Sequence, residues 1–209
     1  MTLDNKERDI LLRSGVFFMK NGLKAPTMDD VARALRVSKK TLYKYVKDKR
    51  DLITRSVEIL LEKDREEVLS IVHKEINAID KVYLINMKVG MKLKNLQPSV
   101  WFDLQQYFPE AAACINKQRD VFIYDIIRSI HKQGVEEGLF RPNLNIEILA
   151  RLNVILIQAM FDPKQFPHEK YSFSQVHREI SNYHLRGIVS PKGKEYIDVL
   201  VDKIRQKQM

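Results

Sequence analysis

The sequence predicts an all-α protein of nine or ten helices, arranged as a small three-helix N-terminal head and a larger helical body. Three observations lead to this class. Glycine and proline number only seven each in 209 residues, too few for the turns of a β fold. Apolar residues recur at helical three-and-four spacing through most of the chain, and no segment makes a convincing strand. Hydrophobic residues make up 44% and charged residues 30%, which is enough to bury a core and unlike a disordered composition.

The first helix is expected over about 4–20, where Ile10, Leu11, Ser14, Phe17 and Phe18 share one face. Asn21-Gly22 stops it, because glycine takes the left-handed conformation cheaply. Thr27 caps the second helix, Asp29 and Asp30 favour its N-terminus electrostatically, and Val31, Ala32 and Leu35 face inward. Ser38 caps the third, whose Leu42, Tyr45 and Val46 turn back toward the first two. Asp48 begins a long fourth helix carrying Leu52, Ile53, Val57, Leu60, Leu61, Val68, Ile71 and Val72 at helical spacing. A further helix is expected over about 79–96, and Pro98 opens a short one ending near Phe108. Pro109 stands at a favourable first-turn position for a long helix over about 110–137, ended by Gly138. Asn145 caps a helix to about Phe161. Ser172 or Ser174 caps another to about Arg186, stopped by Gly187. Pro191 begins the last helix, to about Gln206, with Tyr196, Ile197, Leu200, Val201 and Ile204 on its apolar side. The head is expected over 1–47 and the body over 48–209, joined across about three residues without a flexible linker.

Charge is unevenly placed along this plan. Residues 1–50 hold 13 Lys/Arg against 6 Asp/Glu, a net of +7 out of +9 for the chain. A basic head on a near-neutral body is the footprint of nucleic-acid contact, and a solvated basic surface is the plainer alternative. The lone cysteine, Cys114, allows no internal disulfide; it stands among alanines and reads as a small buried hydrophobe in a reducing compartment. The polar N-terminus lacks a signal core, and the apolar stretch at 152–161 is too short to span a bilayer, so a soluble cytoplasmic protein with no membrane partner is expected. The five histidines are scattered without ligand spacing, and no phosphate loop, GxSxG or dinucleotide fingerprint occurs. No metal, cofactor or enzymatic activity is therefore expected.

The most informative segment is the second and third helices with their turn. Two short helices at such an angle place one of them in the major groove of DNA. The outer face of the third presents Lys39, Lys40, Tyr43, Lys44 and Lys47, concentrating positive charge at a capped helix N-terminus where phosphates flank the groove. Lys39, Lys40 and Lys44 are also suited to donate to guanine O6 and N7 edges.

The run from Thr27 through Val31-Ala32 and Val37-Ser38-Lys39-Lys40-Thr41-Leu42-Tyr43-Lys44-Tyr45-Val46 to Asp51-Leu52 resembles the signature of the TetR family of bacterial transcriptional regulators, over about residues 8–55. Two positions depart from its pattern: Arg36 stands where the turn usually holds glycine, and Val46 where an aromatic is more frequent. The resemblance implies that Thr27, Tyr43, Tyr45 and Lys49 contact the phosphate backbone, and that Ser38, Lys39, Lys40, Thr41 and Lys44 lie nearest the bases. It also implies a homodimer on a palindromic double-stranded operator. The expected dimer-interface residues are Leu149, Leu152, Ile155, Leu156 and Ala159 on one helix, with Val176, Ile180, Tyr183 and His184 on the next. A ligand cavity in the body is implied too, with Met87, Met91, Trp101, Phe102, Tyr107, Phe122, Ile126 and Phe161 as candidate lining; an ordinary apolar core is the plainer account of that set. The expected function is a homodimeric repressor released by a small apolar or amphipathic effector. The alternatives are a DNA-organising or protein-responsive regulator without a ligand, and a helical small-molecule-binding enzyme with a vestigial head.

Overall fold

A computed structural model describes residues 4–206, with side-chain burial given through Val201. Ile204, expected on the apolar side of the last helix, therefore lies outside the described side chains. The helices are α1 (Asn5–Asn21), α2 (Met28–Leu35), α3 (Lys39–Tyr45), α4 (Lys49–Val72), α5 (Ala78–Lys94), α6 (Pro98–Tyr107), α7 (Pro109–Lys117), α8 (Tyr124–Glu136), α9 (Ile146–Ala159), α10 (Phe173–Ile188) and α11 (Pro191–Gln206). A π-helical segment, Gln118–Ile123, joins α7 to α8, so the described residues form ten helical rods. The all-α class is as expected. Among the described residues the one β feature is an isolated antiparallel bridge between Phe140 and Val189.

Local chemistry sets most boundaries. Asp4, Thr27, Ser38, Asn145 and Ser172 each accept a backbone N–H from the third residue of the helix they open. Of the two serines considered for α10, it is Ser172 that caps, reciprocally with Gln175. Gly22 and Gly138 follow α1 and α8 with φ of 82° and 69°, the region in which a side chain is strained. Two expectations are corrected. The helix over 110–137 is not one regular α-helix, because the π segment adds a wider turn at its centre. Gly187 does not stop α10, which continues to Ile188; the end comes where Arg141 N–H donates to Ile188 O at 2.9 Å and Ser190 N–H to Leu139 O at 2.9 Å.

The chain packs as two compact units. The first contains the residues through Glu67 together with Asn95–Arg119; the second contains Val68–Lys94 and the residues from Asp120 onward. In the first unit, Ile10, Leu11 and Phe18 of α1 meet Val31 and Leu35 of α2, Leu42 of α3, and Leu52 and Ile53 of α4, all at 3% exposure or less. Val100 and Leu104 of α6 and Ala111 of α7 complete that core. In the second unit α8 packs on α5 and α9, and α10 on α5 and α9. Its core gathers Ala78, Ile79, Ile130, Leu139, Phe140 and Ile188, with Tyr196, Ile197 and Leu200 of α11 packed against it. Among the described residues no helix is long and apolar enough to cross a membrane.

Candidate nucleic-acid interface

The first unit builds its polar face from two helix N-termini held in register by buried apolar residues. α2 is fixed by a capping box. Thr27 Oγ1 accepts from Asp30 N–H at 3.2 Å, while the Thr27 N–H and hydroxyl donate to Asp30 Oδ2 at 2.9 and 2.7 Å. These bonds from Thr27 hold the Asp30 carboxyl below the usual carboxylate range. α3 is capped by Ser38, whose Oγ accepts from Thr41 N–H at 3.0 Å and lies 2.8 Å from Thr41 Oγ1. Leu42, wholly buried, anchors the underside of α3, and Val46, 4% exposed just past its end, anchors the exit. The smaller residue at position 46 thus still reaches the core.

The turn between the helices is resolved at Arg36, which takes the left-handed conformation with φ 57° and ψ 43°. Among the described residues it is the one non-glycine at positive φ, and it carries roughly 1 kcal/mol of strain for its β-carbon. Its N–H donates to Arg33 O at 3.1 Å and the Val37 N–H to Ala32 O at 3.0 Å, which satisfies the last carbonyls of α2. The turn is thus left-handed at its apex, where it carries a cation.

The expected DNA-contacting residues fall into two groups. Ser38, Lys39, Lys40, Tyr43 and Lys44 are exposed on one side of α3, with Tyr43 at 46%. Lys44 Nζ lies 5.2 Å from the Tyr45 ring centroid, within cation–π range. Of the others, Thr27 is exposed at the start of α2, Thr41 is half-buried beside Ser38, and Tyr45 and Lys49 are tied inward. Tyr45 is half-buried against the core, and its carbonyl accepts from the Arg55 guanidinium, which also pairs with Glu7 at 2.5 Å. Lys49 Nζ donates to Lys24 O at 2.8 Å, and burial lowers its pKa, offset in part by Asp103. Lys24 in turn sits 4.4 Å from the Tyr107 ring centroid, and Arg50 donates to Tyr107 O at 2.7 Å. Gln97, just before α6, donates to Lys20 O at 2.7 Å. Residues of α4 and α6 thereby brace the loop that leads into Thr27.

Asp29 was not among the expected site residues. Its Oδ2 accepts from Lys39 Nζ at 2.9 Å, bridging the N-termini of α2 and α3 on the exposed face. That hydrogen bond, with the carboxylate's charge, raises the Lys39 pKa. The only sequence signal for Asp29 was an acid at the first turn of a helix, which its favourable interaction with the helix dipole already explained.

The remaining candidates lie elsewhere in the two units. Of the ligand-lining set, Met87, Met91, Phe102 and Tyr107 are exposed, whereas Trp101, Phe122, Ile126 and Phe161 are half-buried. Met87, Met91, Phe122, Ile126 and Phe161 belong to the second unit, the other three to the first. Of the dimer set, Leu152, Ile155 and Tyr183 are exposed, Val176 is buried, and the others are half-buried. His184 faces inward, its Nε2 2.8 Å from Nε2 of His131. Burial, with a smaller contribution from His184, holds His131 down at about 4. Cys114 is half-buried with its thiol 3.6 Å from Glu58, and burial raises its pKa, the opposite of a reactive thiolate. Among the described residues no three His, Cys, Asp or Glu side chains are grouped to hold a metal ion.

A capped pair of short helices, with lysines outward on the second and a shared apolar core beneath, defines a helix-turn-helix protein of the DNA-binding class. Residues 16–55, which span the end of α1, the capped helix pair and the start of α4, match the model of the tetR family of bacterial regulatory proteins. It is 26% identical over 170 residues to the uncharacterized HTH-type transcriptional regulator YvaF of Bacillus subtilis, covering 78% of this chain and 86% of that one. Two solved structures share the fold. A transcriptional regulator from Cytophaga hutchinsonii aligns with a TM-score of 0.71 at 18% identity, over 90% of this chain and all of its own. A regulator from Saccharomonospora viridis, solved in complex with choline, aligns with a TM-score of 0.65 at 16% identity, again over 90% of this chain and all of its own.

Proposed function

We propose that the protein is a homodimeric transcriptional repressor that reads a palindromic operator through α3 and is released by a small apolar or amphipathic effector. The observation that carries DNA binding is the exposed lysine face of α3, set on a doubly capped and internally packed helix pair. In this reading Thr27, Tyr43, Tyr45 and Lys49 position the head on phosphates, and Ser38, Lys39, Lys40, Thr41 and Lys44 face the base edges. The inward ties of Tyr45 and Lys49 favour a positioning task for these two, since both brace the backbone around the reading helix. Functionally, 1–47 serves as the DNA-binding head and 48–209 as the ligand-binding and dimerisation part.

Dimerisation is supported by α9. Ile148, Leu152 and Ile155 stand at i, i+4 and i+7 with 56%, 47% and 57% exposure, an apolar stripe of the kind that a second copy covers. Tyr183 of α10, at 78% exposure, extends the apolar surface expected in that interface. An effector is supported by the methionines and aromatics of the ligand set, and by the choline held by the Saccharomonospora viridis protein. The reading assigns the chain no catalytic role and places it in the cytoplasm. Selection of bound fragments from genomic DNA, followed by gel shift across a salt series, tests the function. A symmetric site bound with a steep salt dependence is expected. Absence of sequence-selective binding at low salt would overturn it.

A further inference from the structure

An acid on a face turned toward a polyanion is a liability unless it finds a donor there. Asp29 is such an acid. It occupies the first turn of α2, and both it and Lys39 remain more than half exposed, at 58% and 51%. The neighbouring Asp30 is committed to structure through its bonds to Thr27 and its ion pair with Arg33 at 3.5 Å. Asp29 has no such commitment, because Thr27 and Asp30 already close the cap of α2. Its carboxylate instead accepts from Nζ of Lys39, the first residue of α3, at 2.9 Å.

The major groove offers such an acid one well-matched donor, the N4 amino group of cytosine, and offers Lys39 the O6 and N7 acceptors of guanine. A C·G pair presents both groups side by side in the same groove. We propose that Asp29 and Lys39 form a two-residue specificity device. At a C·G position Asp29 accepts from cytosine N4 while Lys39 donates to the guanine edge. At other sequences the carboxylate repels the DNA and keeps Lys39 occupied, so weak nonspecific binding is suppressed. This inference rests on the DNA-binding reading above and adds to it a specificity residue of opposite charge to the rest of the face.

Selection of bound duplexes from a random pool, with the full chain and its Asp29→Ala and Asp29→Asn variants, tests the device. The wild type is expected to require a C·G pair in each half-site, and Asp29→Ala to reduce that preference by roughly tenfold. Asp29→Ala should also bind unrelated duplex about fivefold more tightly, with a salt slope steeper by about one unit, because Lys39 is released to a phosphate. Asp29→Asn removes the charge but keeps an acceptor, so it should gain unrelated affinity while retaining part of the cytosine preference. A role confined to the helix dipole would shift only thermal stability and leave base preference unchanged. Identical preferences and slopes in wild type and Asp29→Ala would overturn the device alone. A wild type without sequence-selective binding would overturn the DNA-binding reading and the device with it.

Discussion

The two units differ in the side chains they set out most prominently. The first displays charge: Lys39, Lys40 and Lys44 stand exposed, while its buried polar groups include the small hydroxyls of Ser14 and Ser56. The second buries ionisable groups, with Lys81 at 7% exposure, His131 at 2% and His177 at 8%, and displays aliphatic side chains on α9. An exposed charge is solvated by water and needs no buried partner. A buried ionisable group must be satisfied from within, as Lys81 is by Gln133 Oε1 at 2.8 Å. The contrast sets a surface of exposed lysines against one that carries an exposed apolar stripe.

The sharpest way to break that contrast is to put charge on α9. Ile155→Glu is expected to turn a dimer into a monomer in analytical ultracentrifugation and to weaken specific DNA binding by at least about a hundredfold, since half-sites are then read singly. The buried face of the second unit can be stressed by acid. His131 is held neutral in the fold at about 4, against an unfolded value near 6.5. The unfolded chain therefore takes up the proton first. Stability is complete above pH 6.5 and is lost as the pH falls toward 4. Denaturant unfolding should show a loss of about 2 kcal/mol from this residue between pH 7.5 and 5, absent in His131→Leu. On the charged face, Lys44→Ala should change site preference at a cost of roughly 1–3 kcal/mol at one base position. Tyr43→Phe, by contrast, should weaken all sequences alike; equal losses everywhere for both would reject the division between reading and positioning. The smallest effect is expected at the turn, where Arg36→Gly should raise stability by about 1 kcal/mol in thermal unfolding by releasing the left-handed strain.

The same contrast explains what could be read from the chain beforehand. Caps are local, so Thr27, Ser38 and Asn145 announce themselves through a side chain and a backbone N–H three residues away. The core of the head was legible for the same reason, as Val31, Leu35 and Leu42 keep strict spacing over short helices. Features that depend on distant partners were not. Gly187 carries the sequence mark of a helix stop, yet the bonds from Arg141 and Ser190 at the bridge decide where α10 ends. Nothing in composition marks the π segment, because an extra residue per turn changes no residue type. Lys39 and Lys49 look alike in sequence, and only the fold gives one an acid at 2.9 Å and the other a backbone carbonyl at 2.8 Å. The resemblance places His184 among the dimer-interface residues, and helical spacing alone does not show that His131, 53 residues earlier, lies against it.

The hydroxyl of Tyr196 donates to Asp80 at 2.8 Å across 116 residues of chain, and α11 packs on the core that α5 and α8 begin. This has a consequence for synthesis on the ribosome. The first unit has all its parts once Arg119 has emerged, whereas Val68–Lys94 must wait for the last helix before its core can close. At translation rates of about 5–20 residues per second, that interval is on the order of ten seconds. During it the nascent chain carries a head that has everything it needs to fold, beside apolar α5 surface without its final cover. A newborn chain of this design can complete the core of its first unit before it can complete that of its second.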